Sequence, residues 1–168
     1  MRKIIYNTIQ NALFAILDGQ GQPLVRHVDL FNNQLAYAQE EQPFYTPAVF
    51  IEFPDISWQH LDLGIREAVI SVNLHVVTDS RDGHWEDAAT RFDLLDQINA
   101  ALHGLSYSDE DGNVMDALTL DTSSTDSDFD ELMDNIEVYT THVTDTSAYK
   151  KGETVNVSPS ITVRIQTP

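Results

Sequence analysis

The sequence contains no cysteine among its 168 residues, which excludes disulfides, thiolate metal ligands and a thiol nucleophile. Basic residues are scarce: 9 Lys and Arg stand against 27 Asp and Glu, a formal net charge of −18. This balance argues against nucleic-acid binding through phosphate contacts. No apolar run is long enough to span a membrane, and the first residues lack the apolar core of a secretory signal. We therefore expect a cytosolic product that binds neither specific nucleic acid nor membrane.

The acidic residues are distributed unevenly. Between Phe92 and Tyr149 there are fourteen Asp and Glu and no Lys or Arg. Such a bias indicates either a solvated surface that keeps the protein in solution or a surface whose charge has a function. The apolar fraction of 42% is ordinary for a globular protein. A chain of this length can bury one good core, so we predict a single domain over residues 1–168.

A strand followed by a helix, within residues 67–105, is predicted to form the centre of the fold. The strand is indicated by apolar residues at every second position, Ala68, Ile70, Val72, Leu74 and Val76. After a turn-forming cluster the apolar spacing becomes three or four, with Trp85, Ala88, Phe92, Leu95, Ile98 and Leu102. This spacing predicts an amphipathic helix with Asp82 as its N-cap and Gly104 just past its end. The apolar faces of the two elements are expected to pack together.

The rest of the chain predicts a helix and several short strands. The helix carries Ile5, Ile9, Ala12, Leu13, Ile16 and Leu17. Strands are predicted at 24–30, 47–54, 56–63, 65–78, 117–125, 136–144 and 155–165, and a small hairpin at 105–115. Residues 31–46 are polar and aromatic without a clear period, which predicts a long loop with one helical turn. Since most connections are short, we predict an α+β fold: a mostly antiparallel sheet with two helices packed on one face, plus a small hairpin.

Catalytic chemistry has little support in the sequence. The six histidines form no metal-ligand spacing, and His75 and His142 lie on mixed strand faces, where a hydrogen-bonded structural histidine is expected. There is no G-x-S-x-G turn and no phosphate-binding glycine loop. We therefore predict that the chain is not an enzyme and has no catalytic residue, metal or cofactor.

One acidic spacing resembles that of a calcium-binding loop. Asp126, Asp128, Asp130, Asp134 and Glu137 fall at positions 1, 3, 5, 9 and 12 of an EF-hand. Position 6, which needs glycine, is occupied by Glu131, and the flanks have the composition of strands where an EF-hand has helices. The alternatives are an acidic strand-to-strand loop and a weaker divalent site.

Most of the chain, residues 4–143, resembles the tail-terminator (tail-completion, tail-to-head joining) proteins of long-tailed bacteriophages and prophages. The resemblance is carried by an apolar strand at 48–53, the block Val-Asn-Leu-His-Val-Val-Thr-Asp at 72–79, and the helix at 93–105 that ends in Leu-His-Gly-Leu. The closing strand pair of the family is similar to residues 118–120 and 135–142, which flank an acidic loop. The long 31–46 segment and the tail from Lys150 to Pro168 depart from the family pattern.

The resemblance implies a structural protein that assembles as a ring, usually a hexamer, on the finished tail tube and presents a surface to the head connector. Its partners would be itself, the tail tube protein and the head connector protein, first in the bacterial host cytoplasm and then in the virion tail. If the ring surrounds a DNA passage, acidic side chains would line the lumen and repel phosphates. We assign that role to Asp109, Glu110, Asp111, Asp126, Asp128, Asp130 and Asp134.

Subunit or partner contacts are assigned to the aromatic residues Phe31, Tyr37, Phe44 and Tyr45, because an aromatic loop can supply a neighbouring subunit with a contact. Two alternatives stay open. One is another neck or minor tail protein of the same machine, and the other is a calcium-responsive binding domain that uses the 126–137 loop.

Overall fold

Two helices and eight strands make up the described part of the protein. The computed structural model describes residues 1–32, 34–37, 44–79, 87–126 and 132–150, so the predicted strand 155–165 lies outside it. The helices are α1 Arg2–Phe14 and α2 Ala88–Leu102. The strands are β1 His27–Leu30, β2 Ala48–Glu52, β3 Gln59–His60, β4 Arg66–Asp79, β5 Tyr107–Ser108, β6 Val114–Met115, β7 Thr119–Asp126 and β8 Leu132–Asp145.

All eight strands belong to one sheet, whose centre is the long antiparallel pair of β4 and β8. The two strands pair residue for residue from Arg66 with Asp145 to Asp79 with Leu132. The order across the sheet is β1-β2-β4-β8-β6-β5, while β3 pairs with β4 and β7 pairs with β8. The predicted hairpins at 56–78 and 105–115 are confirmed, although β3, β5 and β6 are only two residues long.

The sheet is mostly antiparallel, as predicted, with one parallel pair. β1 and β2 run in the same direction, with His27 opposite Ala48 and Leu30 opposite Ile51. Parallel neighbours need a long crossover connection, whereas antiparallel neighbours can be joined by a tight turn. The exception therefore occurs where the connection is long, through the 31–46 segment. That segment contains a 3₁₀ helix at Gln34–Tyr37, which agrees with the single helical turn predicted there.

Both helices pack on one face of the sheet, which confirms the predicted α+β fold. Each helix contributes a buried stripe at a spacing of four, Ile5, Ile9 and Leu13 from α1 and Leu94, Ile98 and Leu102 from α2. The sheet contributes the alternating residues of β4 that were predicted to face a helix. Burying a side chain of this size contributes about 1.5–3 kcal/mol, so this core supplies most of the hydrophobic stabilisation. Neither described helix is long and apolar enough to cross a membrane.

The start and the buried stripe of α2 differ from the prediction. The N-cap of α2 is Asp87, whose side chain accepts a hydrogen bond from Ala89 N at 3.3 Å, and not the predicted Asp82, which lies outside the described residues. Phe92 was predicted to be buried, yet its side chain is 60% exposed. With 3.6 residues per turn, Phe92 lies about 200° around the helix from the buried Leu94. The end is as predicted, since Gly104 follows the helix with a φ of 82°.

Candidate functional site

A buried cluster around His75 lies on the sheet face opposite the helices. His75 Nδ1 is 2.7 Å from Asp134 Oδ2, and His75 Nε2 is 3.5 Å from Glu52 Oε2. The ring of Phe31 stacks on the imidazole with 3.9 Å between centroids. Asn73 Nδ2 donates to Glu52 Oε2 at 2.6 Å. The cluster therefore ties β2, β4 and β8 together beneath the residue that follows β1.

The electrostatics of this cluster favour a charged imidazole. Burial opposes protonation of His75, but the hydrogen bond and charge of Asp134, together with Glu52, outweigh it and raise the pKa of His75. No hydroxyl donates to His75 Nε2 among the described residues, so they form no Ser-His-Asp relay through His75. The geometry agrees with the prediction that His75 is a hydrogen-bonded structural histidine.

The predicted acidic surface is partly organised by a turn. Between β5 and β6, Asp109 accepts hydrogen bonds from the backbone N and the Nδ2 of Asn113, both at 2.9 Å. These bonds lower the pKa of Asp109, and the side-chain bond contributes more than the backbone bond. Thr146 Oγ1 donates to Asp111 O at 2.8 Å and holds the turn against the end of β8. Glu110 and Asp111 remain exposed, so a fixed backbone presents their charges to solvent.

The second acidic segment does not form one continuous surface. Asp126 ends β7 and is half-buried, while Asp128 and Asp130 lie outside the described residues. Asp134 is only 2% exposed because it pairs with His75, so it does not fit the predicted lumen surface. The burial comes from its register on β8, opposite Val77 in the middle of the sheet.

The same strand geometry bears on the calcium alternative. Asp134 faces the His75 side of the sheet, whereas Glu137 lines the opposite side beside α2 and accepts a hydrogen bond from Ser123 Oγ at 2.5 Å. Successive strand residues point to opposite faces, so these two carboxylates cannot converge on one ion. No group of three metal-ligating side chains occurs within the part of the chain that the structure describes.

The predicted aromatic contacts divide into internal and exposed residues. Phe31 covers His75, and Phe44 packs edge-on against Phe50 with 4.9 Å between centroids. Both belong to a small second core on this face, so their rings serve the fold of the protomer itself. Tyr45 is 77% exposed and is free to contact a partner. Tyr37 lies in the 3₁₀ helix, and its side chain is outside what the structure describes.

Two surfaces were not predicted. On the face opposite the helices, Val69 is 72% exposed although it lies on the central strand β4, opposite the half-exposed His142. On the other face, a groove of about 330 Å³ runs between α2 and β7 beside the exposed Phe92. Val69 is an apolar residue on a face of β4 whose neighbouring positions are polar, and this pattern could have indicated the first surface. The second depends on where α2 begins, which the sequence does not specify.

Comparison with known proteins relates this fold to a virion. No family model matches the sequence, and no curated protein sequence matches it. Among solved structures, the chain is similar to one described as "Virion of native gene transfer agent (GTA) particle". The TM-score is 0.52 and the identity 14%, and the match covers 84% of this chain and 95% of that chain. At this identity, the similarity establishes that the two chains share a fold.

Proposed function

We propose that this protein is a structural component of a virion that caps the finished tail tube of a long-tailed phage or prophage as a ring and joins it to the head connector. The observation that carries the proposal is the fold shared with a chain of the gene transfer agent virion, over 95% of that chain. The order of segments in residues 4–143, which resembles tail terminators, supports the same role from the sequence.

The surfaces of the protomer suit such a role. A ring subunit needs contacts on two sides, and the described chain offers the exposed edge of β7, the open sheet face at Val69 and the exposed Tyr45. A long edge strand with an unpaired outer side is a feature that partner subunits cover. The His75 cluster fits a structural part in this proposal, because it ties β2, β4 and β8 together.

The proposal is tested by the native mass of the purified protein, recorded with EDTA and again with calcium. We expect a hexamer, about six times the 18.9 kDa chain mass, in both conditions. If the purified protein is a monomer, it is mixed with tail tube protein, and we then expect the ring to close on the tube. A monomer that stays monomeric on the tube would contradict the proposal.

A calcium-dependent gain in thermal stability, abolished by EDTA, would favour the calcium-binding alternative. A different copy number on particles would favour another neck or minor tail protein.

Acidic residues of two segments are proposed to line the lumen of this ring, where like charge lets DNA pass without binding. Asp109, Glu110, Asp111 and Asp126, with Asp128 and Asp130, make up this proposed surface, and the buried Asp134 is left out of it. Exchanging Glu110 and Asp111 for lysine is expected to leave folding intact and to lower infectivity about tenfold or more, since each lysine adds an attraction for phosphate. Plaque titre and DNA delivery measure the effect.

A matched control exchanges two exposed acidic residues elsewhere, Asp55 and Asp93, for lysine. The net charge then changes by the same amount, so only position differs. We expect the control to retain infectivity. Equal titres for the two variants would show that the turn at 109–112 does not face the DNA.

A further inference from the structure

The outer edge of β7 is an open sheet edge. Along its eight residues β7 pairs with β8, and no described strand pairs with its other side. Six of the eight residues are exposed, and the run from Thr122 to Thr125 carries no charge and is rich in β-branched threonine. A β-bulge between Leu120 and Thr122 is the only irregularity in the pairing along the described strand. Such an edge is a ready template for one more strand.

A groove lies directly beside this edge, under α2. Its apolar lining is formed by Phe92, Leu95 and Leu120, and its polar lining includes Asn99 of α2 and Glu137 of β8. The side chains of β7 that face the groove alternate with those that face away. A strand added outside β7 would therefore place every second side chain in or over the groove. Because the Phe92 ring is exposed and apolar, we expect apolar side chains at the groove-facing positions of the added strand.

The charge around the groove selects a partner segment that contains basic residues. Asp96 and Glu137 line the groove, and no Lys or Arg occurs between Phe92 and Tyr149. The end of the chain has the complementary pattern. Val155, Val157, Ile161, Val163 and Ile165 alternate with polar residues, and residues 150–168 contain Lys150, Lys151 and Arg164 against one acidic residue, Glu153. Arg164 falls between the apolar positions and would face away from the groove, so the complementarity is one of net charge.

The point where this segment leaves the described chain favours a second copy as the acceptor. Lys150 N donates to Leu63 O at 3.1 Å, at the turn between β3 and β4. That turn lies on the far side of β4, with β8 between β4 and β7. Lys150, the last described residue before this segment, is thus separated from the β7 edge of its own protomer by β4 and β8. A head-to-tail ring has its two contacts on different surfaces of the protomer, so a second copy is the expected acceptor.

We propose that residues 155–165 of one copy pair as an added strand along β7 of a second copy, with their apolar side chains over the groove at Phe92. This inference rests on the ring of the proposed function and names the contact that closes it. Main-chain hydrogen bonds would give the contact its register, and the Phe92 groove would give it selectivity for apolar side chains.

Disulfide trapping tests the pairing directly, because the natural chain has no cysteine. A heavy-isotope-labelled Ser124→Cys variant is mixed with an unlabelled Val163→Cys variant under mild oxidation, and mixed dimers are counted by mass. We expect mixed dimers to form about tenfold faster than in a control mixture of Leu17→Cys with Val163→Cys. Leu17 is the control because it is 55% exposed and lies beside Pro23, ahead of β1 at the other end of the sheet from β7.

Equal trapping rates in the two mixtures would overturn the proposal. A Ser124→Cys/Val163→Cys double variant that closes its disulfide within one chain on dilution would also overturn it, since the segment would then pair with its own β7. The native mass of the unoxidised samples separates this inference from the proposed function. A hexamer without preferential trapping would contradict the strand pairing but not the proposed function. A protein that stays monomeric on the tube would contradict both the strand pairing and the proposed function.

Discussion

Replacing Gly64 by alanine is expected to lower the free energy of unfolding by about 3 kcal/mol, a larger effect than the same substitution at any other described glycine. Gly64 has a φ of 87°, where a residue with a Cβ is strained by about 1–2 kcal/mol. A Cβ would also lie 2.2 Å from the backbone oxygen of Ala148, a distance that forces one segment to move. The substitution therefore separates the β3–β4 turn from residues 148–150.

Gly104 provides the matched control for this measurement. Its φ of 82° is nearly the same, but nothing lies within 4 Å of the position that a Cβ would occupy. Gly104→Ala should therefore show the backbone strain alone, about 1 kcal/mol. Urea unfolding of both variants gives the two free energies, and equal losses would show that the contact with Ala148 is unimportant. Gly64→Ala should also reduce the disulfide trapping between copies, because it displaces the start of the donor segment.

The second large effect is expected from Asp145→Asn, which should lower the free energy of unfolding at pH 7 by about 2 kcal/mol. The Asp145 side chain is fully buried, and its Oδ2 accepts hydrogen bonds from Arg66 Nε at 3.1 Å and Nη2 at 2.8 Å. The backbone N of Ser147 donates to Oδ1 at 2.9 Å. Burial alone would raise the pKa of Asp145, but the hydrogen bonds from Ser147 and Arg66 outweigh it and lower the pKa to about 2.

This pKa sets the pH range in which the stabilisation is lost. Because the folded-state pKa lies below the ordinary value of 3.8, the stabilisation is complete above that value and disappears as the pH falls through about 2. Wild type and Asp145→Asn should therefore differ at pH 6 and converge near pH 2. Asp111→Asn, at an exposed aspartate, is the control and should follow wild type throughout. A constant difference between wild type and Asp145→Asn at all pH values would show that packing, not charge, is responsible.

Strict periodicity explains why the fold could be predicted from the sequence. The alternation along β4 and the buried spacing of α1 and α2 follow from which residues must leave water, and the structure buries those stripes. The start of α2 could not be read in this way, because Asp82 and Asp87 both have capping side chains. The predicted apolar spacing included Phe92, whereas the stripe that packs on the sheet is Leu94, Ile98 and Leu102, so Phe92 lies on the apolar side of the groove.

The interaction surfaces were harder to predict because they depend on register. Asp134 belongs to an acidic run in the sequence, yet its pairing opposite Val77 places it beside His75 in the interior. Phe31 and Phe44 occur in a segment without a period, and the parallel crossover turns both rings inward. Composition alone does not distinguish an acidic side chain that faces solvent from one that pairs with a buried histidine. Glu110 and Asp111 could be assigned to the surface because they lie in a Gly-containing turn, where their side chains have no core to pack into.

The long pairing of β4 with β8 also determines when the protein can fold during its synthesis. β4 can pair with β2 and β3 once residue 79 has been made, but its other edge has no partner until β8 is complete at Asp145. Contacts between residues so far apart in the chain form slowly, because the intervening chain must be ordered first. During this interval β4 presents an apolar strand edge to other nascent chains. The sheet of the protomer can therefore be completed only after Asp145 has been synthesised.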